Sequence, residues 1–194
     1  MKREKTRRSN EERSETTRSA LLSAARKLFS EKGFAETGTP EIVAAAGVTR
    51  GALYHQFRDK ADLLAAVLQQ EAQAVTAAIE AASSMPAEPR DGLLAGAIAY
   101  FDAMSAPGRA RLLLIEGPAA LPPSVVRQID KQGGADSLRE GLAATAPDLP
   151  EATVEALAEL FSAAFDRAAL RIAEGADRAP FELAIGRMLN AMAD

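Results

Sequence analysis

The chain has 194 residues, a formal net charge of −4 and no cysteine, which excludes a disulfide scaffold, a thiol nucleophile and a thiolate metal site. Its single histidine excludes a histidine-rich metal site, and we expect neither a metal nor a cofactor. The first residues are charged and polar, and no later stretch approaches the roughly 20 uncharged apolar residues of a membrane span, so we expect a cytoplasmic protein without signal peptide or membrane contact.

Charge is divided unevenly along the chain. Residues 1–60 carry 13 Lys or Arg against 8 Asp or Glu, net +5, whereas residues 61–194 are net −9. The N-terminal tail, residues 1–17, has no apolar anchor, and we expect it to be disordered. Its cations either follow phosphates or enter a minor groove, or they only keep the protein soluble. The cations in its first eight residues are Lys2, Arg3, Lys5, Arg7 and Arg8.

An apolar stripe at helical spacing predicts a first helix that ends at Gly33. The stripe consists of Leu21, Leu22, Ala25, Leu28 and Phe29. Thr37 and Thr39 are good N-cap residues for a second helix, and Pro40 suits its first position. Free backbone N–H groups at that helix start are suited to holding a phosphate.

The segment EIVAAAGVTRGALYHQFRDKADLL, residues 41–64, predicts a helix-turn-helix. Gly47 allows the chain to turn, and Leu53 and Phe57, four residues apart, give the following helix a buried face. The helix that follows the Gly47 turn is therefore the candidate DNA reader. Its opposite face carries Arg50, Ala52, His55 and Gln56.

Asp59 and Asp62 predict the capped start of a long helix at about Lys60. Segment 83–86, Ser-Ser-Met-Pro, interrupts that helix, and further Pro and Gly residues divide the remainder into Ala-rich helical lengths without strand-like alternation. The predicted fold is all-α with about nine helices. A three-helix DNA-binding domain at residues 18–64 precedes a larger helical bundle, residues 65–194, for effector binding and dimerisation.

Residues 21–68 resemble the N-terminal domain of the TetR (tetracycline repressor) family of bacterial transcriptional regulators. The matching elements are AARKLFSEKGFAET, residues 24–37, and the helix-turn-helix segment. The resemblance is specific because several spaced elements agree together. It implies a sequence-specific homodimeric regulator, most simply a repressor that a small hydrophobic or amphipathic effector releases from a palindromic double-stranded operator.

The resemblance also implies DNA contacts, residue by residue. Arg50 would read guanine O6 and N7, and Thr49, Tyr54 and Lys60 would bind phosphate. His55 is either a DNA contact or an ordinary surface residue, and the ring of Tyr54 has the option of packing in the core. The predicted set is Thr37, Thr39, Thr49, Arg50, Gly51, Ala52, Tyr54, His55 and Lys60.

In the second domain, an apolar set is the candidate effector pocket, with Asp102, Asp166, Arg167 and Arg171 as nearby polar groups. Each apolar member has the alternative of being plain core. The predicted set is Tyr100, Phe101, Met104, Leu112, Ile115, Leu121, Val125, Ile129, Phe161 and Phe165.

Two apolar stripes are the candidates for a dimer interface on the two C-terminal helices. The residues alone slightly favour packing within one subunit, and the family resemblance favours the dimer. The stripes are Val154, Leu157, Phe161, Ala164, Phe165 and Ala168, and then Phe181, Ile185, Met188, Leu189 and Met192.

Enzyme motifs are not found: the sequence has no phosphate loop, GxSxG elbow or HExxH. Two alternatives to a ligand-released repressor stay open. One is a DNA-binding regulator controlled by a protein partner or without effector, and the other is an all-α enzyme or scaffold.

Overall fold

The computed structural model describes residues 2–83 and 88–192, where every regular element is helical and no strand occurs. This confirms the predicted all-α class. The N-terminal helices are α1 (Lys2–Lys32), α2 (Thr39–Ala46), α3 (Arg50–Gln56) and α4 (Lys60–Ser83). The predicted helix break at Ser84, Met85 and Pro86 lies outside the described residues.

The C-terminal part contains two long helical runs that each include a π-helical turn. After α5 (Pro89–Met104), the first run consists of α6 (Arg109–Arg111), π1 (Leu112–Glu116) and α7 (Gly117–Ala120). The second run consists of α8 (Pro123–Asp130), π2 (Lys131–Ala135) and α9 (Asp136–Thr145), and α10 (Glu151–Ala173) and α11 (Ala179–Asn190) complete the bundle. Among the described helices, none combines the length and apolar character needed to cross a bilayer.

The first helix begins earlier than the sequence analysis expected. We expected residues 1–17 to be disordered, but α1 starts at Lys2. The segment contains neither Pro nor Gly, so nothing stops the helix. It also has a tertiary anchor, because the Gln56 side-chain amide donates to Ser14 Oγ at 2.7 Å and the Arg18 guanidinium lies 4.5 Å from the centre of the Phe57 ring.

Local sequence signals set the helix ends around the turn. Gly33 and Gly47 adopt left-handed φ angles of 90° and 66°, so both end a helix where the sequence predicts. At the start of α4, Asp59 Oδ1 accepts from the Asp62 amide at 2.8 Å, and Asp62 Oδ2 accepts from the Arg58 amide at 3.0 Å. These caps confirm the predicted start of α4 at Lys60.

Two apolar cores meet along α4, which runs unbroken through the predicted domain boundary at residue 64. The first core joins α1, α2 and α3 to the first half of α4, as far as Ala72. The second core begins at Val75 and fills the C-terminal bundle. Leu112, Leu121 and Ile129 belong to the first core, so the C-terminal bundle packs directly on the N-terminal helices.

Candidate functional site

One face of α3 is exposed because its other face is anchored in the first core. Leu53 is fully buried and Phe57 is almost so. The outer face includes five exposed residues and one half-buried residue: Thr49, Arg50, Gly51, Tyr54 and His55, with Ala52 half-buried. A short helix presented in this way has the geometry of a groove-reading element.

Thr49 fixes the start of α3. Its backbone is extended, and its Oγ1 accepts from the Ala52 amide at 3.2 Å, which makes Thr49 the N-cap. At Gly51, an added Cβ would meet only Thr49 Oγ1, at 3.9 Å. No contact among the described residues therefore requires glycine there, and its effect is to keep the outer face flat.

Three predicted DNA-contacting residues from two helices come together at one end of this face. The Arg50 guanidinium lies over the Tyr54 ring, 5.4 Å from its centre. The pKa of the Tyr54 hydroxyl is lowered mainly by hydrogen bonding with Thr39, and also by hydrogen bonding with Arg50. Tyr54 is 43% exposed, so it is a surface group and not a core residue.

The structure corrects the prediction for Thr37. This residue is fully buried, and its hydroxyl donates to the Gly33 carbonyl at 2.7 Å, so it stabilises the turn after α1 and cannot reach DNA from this position. The N-cap of α2 is Gly38, with Thr39 and Pro40 as the first two helical residues. The sequence alone did not predict the buried position of Thr37, because threonine is equally suited to an N-cap and to a buried turn.

Lys60 also has an internal role. Its ammonium donates to the carbonyls of Phe34 at 2.7 Å and Thr37 at 3.0 Å, and it lies 4.2 Å from the centre of the Phe34 ring. An ammonium has three donors, so a phosphate contact would have to use the one that these carbonyls leave.

A buried ion cluster joins the N-terminal helices to the bundle. Glu71 on α4 is 6% exposed, and its two oxygens accept from Arg26 Nε on α1 and Arg109 Nε on α6, each at 2.8 Å. Burial alone would raise the pKa of Glu71, but the hydrogen bonds from both guanidiniums outweigh it and the pKa is lowered. The sequence signal was a glutamate within the apolar stripe of α4, and our sequence analysis missed it.

A second joint ties π1 to the turn after α1. Glu116 Oε2 accepts from the Phe34 amide at 2.8 Å, and its Oε1 accepts from Arg111 Nε at 3.0 Å. A Cβ added at Gly33 would lie 2.9 Å from both Arg111 Nη2 and Glu116 Oε1. The two parts of the molecule therefore fit closely here.

The C-terminal bundle and α4 form a cavity of about 510 Å³ that is partly open to solvent, walled mainly by α4, α5, α9 and α10, with contributions from α8, π1 and π2. This volume is in the range of small-molecule sites. Four of the ten predicted pocket residues line it: Tyr100, Met104, Ile129 and Phe165.

The other six predicted pocket residues do not line the cavity. Phe101 and Phe161 are buried in the second core, and Leu112 and Leu121 are buried in the first. Val125 packs against the first core, and Ile115 is 48% exposed. These residues satisfy the same apolar pattern as the lining residues, and tertiary packing alone separates the two groups.

Polar groups of the cavity centre on Tyr100, whose hydroxyl donates to Asp166 Oδ1 at 2.6 Å. Burial raises the pKa of Asp166 although this hydrogen bond opposes the shift. Burial and the nearby charge of Asp166 also raise the pKa of Asp130, a lining residue that sequence reasoning missed. The predicted Asp102 and Arg171 instead pair with Arg178 and Glu174, and Arg167 is exposed.

The predicted dimer stripes lie mostly inside the subunit. Their buried members are Val154, Phe161, Phe165, Ala168, Ile185 and Leu189. The outer faces of the same two helices expose other large apolar residues: Leu160 is 67% exposed, Leu183 is 60% exposed and Met188, which was predicted, is 46% exposed.

Comparison with known protein families gives two matches along the chain. Residues 21–67 match the family described as bacterial regulatory proteins, tetR family. Residues 90–194 match the tetracyclin repressor-like C-terminal domain. The two matches follow the division into reader and bundle.

Curated relatives are similar over part of their length. The HTH-type transcriptional regulator AcrR of Shigella flexneri is 33% identical over 108 residues, covering 55% of this chain and 50% of the relative. The HTH-type transcriptional activator FasR of Mycolicibacterium smegmatis is 30% identical over 112 residues, covering 58% and 51%. The chain thus spans about half the length of these curated relatives.

Solved structures are similar over nearly the whole chain. A tetR family regulator from Shewanella sp. PV-4 is 27% identical with a TM-score of 0.75, covering 92% of this chain and 98% of that one. A TetR-family regulator from Pectobacterium atrosepticum is 32% identical with a TM-score of 0.68, covering 92% and 93%. FadR from Bacillus subtilis, solved with stearoyl-CoA, shares the fold at 16% identity with a TM-score of 0.76, covering 88% and 96%.

Proposed function

Because the chain belongs to the TetR family of bacterial DNA-binding transcriptional regulators, we propose that it is a homodimeric repressor that a small-molecule effector releases from a palindromic operator. The observation that carries this proposal is one continuous structure: an exposed reader helix, two polar joints centred on Glu71 and Glu116, and a cavity in the bundle. FasR is named an activator, so the direction of regulation is part of the proposal.

For DNA recognition, we assign base reading to Arg50 and phosphate binding to Thr39, Thr49 and Tyr54. Tyr54 interacts with Arg50 and with Thr39 of α2, and Thr49 is the exposed residue that precedes Arg50. An arginine at the start of a reader helix suits bidentate recognition of guanine. His55 shares the exposed surface and is the further candidate for a backbone or base contact.

Coupling between cavity and reader follows from the elements that they share. Ala72 and Val75 of α4 and Leu113 of π1 line the cavity. The same two elements carry Glu71 and Glu116, which hold α1 and the turn after it. An effector that shifts α4 or π1 would therefore move the N-terminal helices and change the spacing between the two readers of a dimer.

For the dimer, we assign the outer faces of α10 and α11. Leu160 is the largest exposed apolar residue on α10, with Ala156 and Ala163 close to it at helical spacing. Small neighbours allow a second helix to approach, and Leu183 and Met188 extend the apolar surface onto α11. A two-fold contact between such faces suits a palindromic operator.

The effector class follows first from the cavity wall. Tyr100 and Phe165 have ring centres 5.7 Å apart and border the same space, which favours a hydrophobic or amphipathic molecule. The stearoyl-CoA of the Bacillus subtilis FadR is that protein's ligand, and at 16% identity only the fold is common.

A gel-retardation experiment with DNA flanking the protein's own gene tests this function. We expect selective binding that weakens steeply as salt is raised, and release of the DNA by a compound that also raises the thermal unfolding temperature. Failure to retard any duplex at low salt would contradict the proposal and revive an all-α enzyme or scaffold. Intact operator binding that no compound disturbs would favour the alternative controlled by a protein partner or without effector.

A further inference from the structure

The charged side chains of the cavity wall, among the residues that the structure describes, are all negative. Among the described side chains that line the cavity are four carboxylates, those of Glu80, Asp130, Glu140 and Asp166, and no lysine, arginine or histidine. Glu80, Asp130 and Glu140 are exposed, so their charges lie where the cavity meets solvent, and Asp166 is half-buried. Asp130 and Asp166 lie close enough for the charge of one to act on the other.

Neither aspartate forms an ion pair with a cation among the residues that the structure describes. Asp166 accepts a hydrogen bond from Tyr100 through Oδ1 only, and Asp130 has no ion-pair partner in the part of the chain that the structure describes. The structure pairs the buried carboxylate of Glu71 with two guanidiniums, whereas Asp166 is half-buried and Asp130 is exposed. The cavity therefore contains charge that the protein itself leaves uncompensated.

The uncharged part of the cavity wall indicates what the rest of a bound ligand would look like, apart from its charge. The rings of Tyr100 and Phe165 border the space beside Asp166, and an aromatic face attracts a cation. Ile79, Leu93 and Met104 supply apolar surface from α4 and α5. An anionic amphiphile would meet four carboxylates, whereas a cation would relieve the repulsion between Asp130 and Asp166.

We propose that the effector is a lipophilic cation, a protonated amine or a quaternary onium ion. Its charge lies beside Asp130 and Asp166, and its apolar part fills the cavity between α4 and α5. This inference rests on the proposed function, since it names the effector class of the same cavity.

Two pairs of probes with matched shape and opposite charge test the sign of the charge directly. One pair is tetraphenylphosphonium and tetraphenylborate, and the other is decyltrimethylammonium and decyl sulfate below their micelle concentrations. Calorimetric titration of the full chain is expected to give a cation affinity at least about tenfold above that of the anion in one pair or both. Equal or tighter binding of the anion in both pairs, or no binding of either cation, would overturn the inference.

Substitutions locate the binding within the cavity. We expect Asp166→Asn and Asp130→Asn each to weaken cation binding by about tenfold, and the double variant to improve binding of the matched anion. Asp148→Asn removes the same charge from an exposed loop and should leave both affinities unchanged. Thermal unfolding checks that each variant folds, and a folded double variant that binds the cation as the wild type does would contradict the assignment.

The same complexes separate this inference from the proposed function. If anions bind and release a duplex that the protein retards, effector-released regulation stands and the cationic class is wrong. If a cation binds through Asp130 and Asp166 while the duplex stays bound at saturation, the cationic site stands and effector release is wrong.

Discussion

Arg26 on α1 and Glu71 on α4 form a doubly hydrogen-bonded ion pair, Nε to Oε1 at 2.8 Å and Nη2 to Oε2 at 3.0 Å. Arg109 of the bundle binds the same carboxylate. Removing one member of a buried pair leaves charge without compensation, so such contacts hold their elements in one arrangement. This cluster therefore stabilises the orientation of the reader relative to the cavity.

Glu71→Gln is expected to lower the free energy of unfolding by about 2–3 kcal/mol near neutral pH, because both guanidiniums lose their countercharge. The lowered pKa of Glu71 means that its stabilisation is present above the ordinary glutamate pKa and is lost as the pH falls through the folded-state value. Urea unfolding at several pH values should show the two proteins converging in acid. The exposed Glu155→Gln is the control, and a constant gap down to acid pH would contradict this account.

Arg50→Ala is expected to relax sequence preference at one operator position, with a loss of about 1–3 kcal/mol of discrimination against the wrong base. Arg50 is exposed, so the free energy of unfolding should change little. Fluorescence anisotropy with single-base operator variants measures the effect. Arg127→Ala, an exposed arginine of α8, should bind all these duplexes as the wild type does, and an identical preference in Arg50→Ala would remove Arg50 from the base-reading role.

Thr37→Val and Thr39→Val should separate the two threonines that the sequence could not distinguish. The first leaves the Gly33 carbonyl without its 2.7 Å hydroxyl donor and should lower the free energy of unfolding by about 1 kcal/mol or more. The second removes a half-buried hydroxyl at Tyr54 and should weaken operator binding while leaving stability nearly unchanged. Parallel denaturation and DNA titrations measure both, and the reverse pattern would restore Thr37 to the DNA surface.

Local rules account for what the sequence predicted around the reader. Gly33 and Gly47 end helices because left-handed backbone favours glycine, and Thr49 begins one because its hydroxyl caps a free amide. These signals lie within a few residues of their effects. The burial of Thr37 and the hydrogen bond that joins Gln56 to Ser14 of α1 depend on tertiary packing, which no local pattern reports.

Leu160→Glu is expected to dissociate the proposed homodimer, since it puts a charge in the middle of the outer face of α10. Sedimentation equilibrium should give a monomer mass for this variant and a dimer mass for the wild type. Leu149→Glu alters another exposed leucine, in the segment before α10, and should remain dimeric. A dimer in both variants would move the interface away from α10.

Binding of tetraphenylphosphonium, which carries a permanent charge, should strengthen as the pH rises above the ordinary aspartate value of 3.8. Burial raises the pKa values of Asp166 and Asp130, so these carboxyl groups lose their protons only at higher pH. The other titratable groups that line the cavity are Tyr100, Glu80 and Glu140. Because the two pKa values are higher in the folded state than in the unfolded state, ionisation of these aspartates at neutral pH lowers the free energy of unfolding. The double asparagine variant should therefore have a melting temperature no lower than that of the wild type at pH 7. Calorimetry across pH measures the first effect, and a flat profile would contradict it.

The cavity shows where sequence reasoning about a site stops. Tyr100 and Phe101 are adjacent and both aromatic, yet one borders the cavity and the other is core. Helical periodicity predicts which face of a helix points inward. It does not predict whether the residues of that face pack against neighbouring helices or line a cavity between them. Asp130 was missed because its significance comes from Asp166, a residue distant in the sequence.

The shared joints limit how this protein can be recombined with its relatives. A chimera that exchanges residues 1–64 would take Arg26 away from Glu71 and the Phe34 amide away from Glu116. The carboxylates of Glu71 and Glu116 would remain in the bundle without the donors that residues 1–64 supply. A transplanted reader therefore needs its matching arginine, and a turn of the same shape, before a new bundle can govern it.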